Sequence, residues 1–227
     1  MKKNKIFNKL VEVQKRILEL EMNHYFLQLK EEHLTILAQN VKSYQQDDLS
    51  IEKFKEPSFS EEVKVDRNEI FEKFNFLEGE KDIDLILEKL KLIPINEVLV
   101  VLGQRITTAS VKNEQGIPPI DDEVFKKTFK PYNKHLSKGL RAFEKHSERT
   151  ENSFWGKIEG NPKQKEERAR EVVKNLLLNK TWWNIYYHYK HELVYEVRIP
   201  SGHGVRWKCS NLEFIGFVEP FEVKEFY

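Results

Sequence analysis

The strongest constraint on the fold lies at residues 193–199, where Leu193, Tyr195, Val197 and Ile199 alternate with Val194, Glu196 and Arg198. Successive side chains of a strand point to opposite faces, so this run predicts a half-buried strand with an apolar stripe on one face. Pro200-Ser201-Gly202-His203-Gly204 then predicts a hairpin turn, Val205–Cys209 a return strand and Phe214–Val218 another, giving a three- or four-stranded antiparallel meander. The same region is rich in rings, with 12 aromatic residues among the 47 positions from Thr181 to Tyr227, against 12% for the whole chain. Rings bury large area and offer flat faces, so the segment predicts a small aromatic core, a stacking platform, or both.

Helical signals precede the strands. Asn161-Pro162 pairs an N-capping residue with proline at the first helical position, and Ala169, Val172, Val173, Leu176 and Leu177 supply one apolar face before Asn179 stops the helix. Near the N-terminus, Ile6, Leu10, Val13, Ile17, Leu20, Leu27 and Leu34 fall on three- and four-residue steps without proline or glycine, predicting one long helix. His24 and Glu31 interrupt that seam. Met22, Tyr25, Phe26 and Leu29 widen its apolar surface, which favours packing on the protein's own body over a coiled-coil partner. Residues 40–66 are polar and broken by Pro57, predicting a linker or loop. A helix resumes around Arg67–Phe76, and Ile83, Ile86, Leu87 and Leu90 predict another that ends before Pro94. Val98–Leu102 is short and apolar, readable as strand or buried helix. Strands that cluster without intervening helices predict an α+β fold, with a helical N-terminal half and C-terminal helices packed on the meander.

Charge divides the chain in two. Residues 1–124 hold 18 Lys+Arg and 24 Asp+Glu, a net of −6; residues 125–227 hold 20 and 13, a net of +7. The reversal coincides with Gly116, Pro118, Pro119 and Asp121-Asp122. The expected organisation is an acidic helical region over 1–112, a linker over 113–131 and a basic, aromatic α+β domain over 132–227. A polyanion would approach the basic part. Cys209 is the only cysteine, which rules out an internal disulfide and a cysteine-built zinc site and points to a reducing compartment. Met1-Lys2-Lys3-Asn4-Lys5-Ile6-Phe7 leads into an amphipathic stretch, not an apolar run, so the expectation is neither signal peptide nor membrane span, and cytoplasm or nucleus as location.

The chemistry-bearing residues are scattered. Helical spacing sets Lys145 and Arg149 one turn apart with His146 beside them, a set that fits a phosphate or a solvated basic face. Gly202-His203-Gly204 lacks the rest of any nucleotide-binding fingerprint and predicts a turn. His188 and His191, three apart in a strand, point to opposite faces, so no metal and no cofactor is expected. For an enzyme, the set would be His146 as acid or base, Glu196 as its carboxylate, and Arg198 and Arg206 as anion holders. Glu196 and Arg198 share the face opposite the apolar stripe, where the plain alternative is an exposed cross-strand ion pair. No Gly-x-Ser-x-Gly elbow or His-Glu-x-x-His is present.

Lys145-His146-x-x-Arg149, Phe154-Trp155-Gly156, Tyr195-Glu196-x-Arg198, Gly202-x-Gly204-x-Arg206-Trp207 and Phe214-x-Gly216-Phe217-x-Glu219-Pro220 together resemble a functionally uncharacterised family of eukaryotic proteins, over about residues 135–220. The resemblance implies a single module there and carries no activity. The functional expectation is a non-enzymatic accessory factor that docks on RNA or a ribonucleoprotein, the ribosome among them, with a protein neighbour at the N-terminal helix. Trp155, Tyr187 and Trp207 would stack bases, and Lys145, His146, Arg149, Arg198, His203 and Arg206 would hold phosphates. The alternatives are a hydrolase or transferase acting on a phosphorylated substrate, and a protein scaffold built on the N-terminal helix.

Overall fold

The N-terminal apolar seam does not run along one rod. In the computed structural model, which describes residues 4–46, 52–148, 154–190 and 192–221, it is divided between α1 (Lys5–Glu19) and α2 (Glu31–Gln45). At the end of α1 the Met22 N–H bonds back to the Ile17 carbonyl and the Glu21 N–H to that of Leu18, while Glu21 takes φ +52°. That is a Schellman closure with glutamate where glycine is usual. His24 then caps a 3-10 turn at Tyr25–Gln28, and the Gln14 carboxamide donates to the carbonyls of Phe26 and Leu29 at 2.7 and 2.8 Å. The buried seam of α1 (Ile6, Phe7, Leu10, Val13, Ile17) is covered by α2 and α5 (Ile83–Lys91), so it is spent inside the chain.

Short helices complete the first half: α3 (Arg67–Glu72), α4 (Phe76–Gly79), α5, and α6 (Ile95–Val101). The ambiguous Val98–Leu102 run is helical. Val98, Leu99, Val100 and Val101 are all buried, which is how a helix inside a core loses its polar face. Within residues 113–131 lie a 3-10 turn at Glu114–Gly116 and α7 (Asp121–Thr128). Then come α8 (Lys138–Ser147) and α9 (Pro162–Leu178). The Asn161 side chain accepts from Lys163 and Gln164 N–H groups while Gln164 Oε1 accepts from the Asn161 N–H, closing a capping box.

Four strands follow as an antiparallel meander in the order β1 (Trp182–His188), β2 (Glu192–Arg198), β3 (Gly204–Lys208) and β4 (Phe214–Val218). The architecture is α+β. No side chain fits at Gly204, where a Cβ would lie 1.9 Å from the Val197 carbonyl oxygen, so glycine lets β3 close onto β2. The outer edge of β1 is paired by residues 105–111: Arg105 N–H bonds Trp183 O, Val111 N–H bonds Ile185 O, and Tyr187 N–H bonds Ala109 O. The helical half thus covers an otherwise open sheet edge.

The two faces of the sheet differ. Trp183, Ile185, Tyr195, Val197, Val205, Trp207 and Phe217 belong to one buried cluster with the helices, and α9 packs on β2 and β3 while α8 packs on β4. Trp207 and Trp155 are 0% and 1% exposed, so the expected stacking faces are core. The Trp207 indole N–H is satisfied by Thr128 Oγ1 at 2.9 Å. Among the described residues no helix is long and apolar enough to cross a membrane.

Candidate functional site

The opposite face of the sheet is polar. Register places Asn184, Glu196 and Arg206 side by side across β1, β2 and β3, with Trp182 beside Arg198. Glu196 is fully buried at the centre. Its Oε1 accepts from Arg198 Nε at 2.6 Å, and its Oε2 accepts from Tyr186 Oη at 2.7 Å and from Arg206 Nε. Burial pushes the Glu196 carboxyl upward, but the two guanidinium groups outweigh it and hold the pKa below the usual range. Burial and that carboxylate push the Tyr186 phenol well up. Arg206 Nη1 also meets His188 Nε2 at 3.0 Å. Toward β1's edge, Asn184 Oδ1 accepts from Ser110 Oγ at 2.9 Å and Gln104 Nε2 at 3.3 Å.

The expected exposed ion pair is therefore a buried network. The reason is tertiary: Phe59 and Phe221 stack on each other and both meet Trp182 edge-on, while Phe221 lies 3.8 Å from the Arg198 guanidinium. Arg198 Nη1 donates to the carbonyls of Gly202 and Glu219. With its side chain 5% exposed, Arg198 is a brace; Arg206, at 17%, keeps one edge toward solvent.

Arg198 leads to a second cluster at the rim of the sheet. The Glu219 carboxylate collects His146 from α8, Trp155 from the following loop and His203 from the β2–β3 turn. Its Oε1 accepts from His146 Nε2 at 2.6 Å and Trp155 Nε1 at 2.8 Å, and its Oε2 lies 3.3 Å from His203 Nε2. Phe154 stacks on the His203 ring with centroids 4.0 Å apart. Both imidazoles are partly open, 16% for His146 and 14% for His203. Burial lowers the His203 pKa. Burial pushes Glu219 up, but the Trp155 and His146 hydrogen bonds outweigh it and keep it below the usual carboxylate range. A neutral His203 satisfies all its contacts as the Nε2–H tautomer, which leaves the Nδ1 lone pair toward Ser201 Oγ at 3.0 Å.

Of the residues expected to form a site, Glu196, Arg198 and Arg206 lie in the first network and His146, His203 and Trp155 in the second. Lys145 is exposed on α8 beside His146 but turned to another groove. Tyr187 is 63% exposed at the end of β1 and joins neither network. Arg149 and His191 lie outside the described residues. Tyr186, His188 and Glu219 escaped the sequence reading as site residues, although Glu219 closes the Phe-x-Gly-Phe-x-Glu-Pro run. Cys209 is set aside as a nucleophile because burial pushes its thiol up to about 12. Among the described residues no three His, Cys, Asp or Glu are arranged to hold a metal ion.

Residues 125–219 match the family model of the CdiA C-terminal tRNase toxin domain. The matched stretch is less than half of the chain. It begins within α7 and ends at Glu219, and so contains Tyr186, His188, Glu196, Arg198 and Arg206 as well as His146, Trp155 and His203. This match corrects the expectation of a non-enzymatic accessory factor, because the family concerned is one of RNA-cleaving toxins. No curated protein and no solved structure matches the chain.

Proposed function

We propose that this protein is a ribonuclease that cleaves tRNA by acid–base chemistry at the rim of the sheet. One observation carries the reading: the stretch similar to a tRNase domain encloses two linked networks whose side chains suit a phosphodiester. Two partly exposed histidines share one carboxylate, and Arg198 ties the Glu219 carbonyl to Glu196, which in turn holds Arg206 with an edge toward solvent.

The chemistry follows from these groups. His203 Nδ1 takes the proton of a ribose 2′-hydroxyl, at the position where the Ser201 hydroxyl now sits. The 2′-oxygen attacks the adjacent phosphorus, the P–O5′ bond breaks, and His146 gives its proton to the departing O5′. The products are a 2′,3′-cyclic phosphate and a 5′-hydroxyl, and water returns both histidines to their starting states. Arg206, whose open edge lies on the polar face, meets a flanking phosphate of the strand. Glu219 orients both rings, and Glu196 is a positioning residue for Arg206.

Incubating the full chain with tRNA tests this. New 5′-hydroxyl and cyclic-phosphate ends are expected, with cleavage about 10²–10⁴-fold slower for His203→Ala and for His146→Ala. Intact tRNA after prolonged incubation with the wild-type protein would sink the reading. Undiminished cleavage by the double variant would move the chemistry elsewhere.

A further inference from the structure

Beside α8 lies a groove of about 290 Å³ lined by Tyr132, Lys138, Arg141, Lys145, Glu213 and Ile215, among others. We infer that it is a second nucleotide subsite, which holds a base and a phosphate of the RNA away from the bond that is cut. This rests on the proposed action on RNA and adds to it how a long substrate is held.

Three observations carry the inference. Tyr132 is 48% exposed yet fixed in place. Its N–H bonds to the Leu136 carbonyl at 2.8 Å, Lys138 N–H bonds to the Lys130 carbonyl at 2.9 Å, and the Arg141 guanidinium lies 4.0 Å from its ring centre. A rigid, half-open ring backed by a guanidinium loses little freedom when a base stacks on it, and every base has a flat face to offer. The groove is also cationic. Its single carboxylate, Glu213, is neutralised by Lys138 at 2.8 Å and Lys208 at 3.2 Å. Arg141 and Lys145 form no ion pair among the described residues, and their i, i+4 spacing sets both charges on one side of α8. Finally, Lys145 is followed directly by His146, so the groove and the rim cluster share one helix and a bound strand can serve both.

A nucleotide wants a ring and positive charge, and the groove offers the Tyr132 ring with Arg141 and Lys145, neither of which is in an ion pair among the described residues.

The test is tRNA binding by the full chain, carrying His146→Ala so that little substrate is consumed during the measurement, and kcat/KM for tRNA against a dinucleotide in the active protein. Tyr132→Ala is expected to weaken tRNA binding about tenfold or more, with Tyr132→Phe restoring it. Lys145→Ala is expected to lower the salt slope of binding by about one. In the active protein, the ratio of kcat/KM for tRNA over the dinucleotide should fall about tenfold in Tyr132→Ala. Binding and ratio both unchanged would overturn the subsite, as a groove serving an acidic protein surface would produce. Weakened binding in a protein that never cuts RNA would keep the subsite and remove the proposed reaction, so the two can fail separately.

Discussion

The two faces of the meander carry similar rings and opposite chemistry. One face buries Trp183, Tyr195, Trp207 and Phe217 against helices, where each ring is held by contact and the Trp183 and Trp207 N–H groups by one acceptor each. The other buries Glu196 and Arg198 as deeply, and there a buried charge left unmatched loses its desolvation outright. The first kind of burial tolerates change of shape poorly, and the second tolerates change of charge poorly. A strand whose two sides obey different rules can anchor a fold with one and aim a reactive group with the other.

The comparison can be broken most severely on the apolar face. Trp207→Ala should destabilise the protein by about 3–5 kcal/mol, seen as a lowered denaturation midpoint at unchanged m. Glu196→Gln should cost about 3 kcal/mol by leaving Arg198 and Arg206 with a neutral partner, and should lower kcat/KM further because Arg206 loses its anchor. If Glu196→Gln were nearly neutral in stability, the polar face would be wetter than the structure shows. Arg206→Lys sharpens the contrast. It should leave the melting temperature within a few degrees while reducing kcat/KM about tenfold, since an ammonium cannot keep two contacts on Glu196 and face phosphate together.

Acid provides a weaker probe. Burial lowers the pKa of His203, and also those of His33 and His24. The unfolded chain therefore takes up protons at these sites at a higher pH than the folded one. The stability they contribute is complete above the unfolded histidine value of about 6.5 and is lost as pH falls below it. Denaturation at a series of pH values from 7 to 5 should show this decline, and His33→Asn should flatten it. The depressed carboxylates Glu196 and Glu219 add a further loss only at lower pH, below the ordinary carboxylate range. The smallest effect is expected at Tyr187. Its ring stands free of both networks, so Tyr187→Ala should change stability by under about 0.5 kcal/mol and leave cleavage intact.

Local signals account for much of the fold. Asn161-Pro162 with Gln164 marks the start of α9 because capping is settled within four residues, and the alternation at 193–199 assigns β2 and its apolar stripe because side-chain direction in a strand has a fixed period. The break between α1 and α2 was hidden for an equally physical reason. Its closing residue is Glu21, which takes a positive φ that glycine would have advertised, and the Gln14 bonds that support the turn reach forward from the body of α1 to the carbonyls of Phe26 and Leu29, a contact that no local spacing rule announces. The polar face shows the same division. That Glu196 and Arg198 share a side follows from spacing; that they are buried depends on Phe59, which arrives from more than a hundred residues upstream.

The sequence by itself determined the α+β class, the charge reversal, the cap of α9 and the inventory of groups able to move protons or hold phosphate. Only the tertiary structure decided which of them meet. His146 and Glu219 are 73 positions apart and 2.6 Å apart in space. Composition and periodicity report which face a side chain takes on its own element. Pairing across elements depends on how helices and sheet pack, and that is settled by shape and burial summed over the whole core.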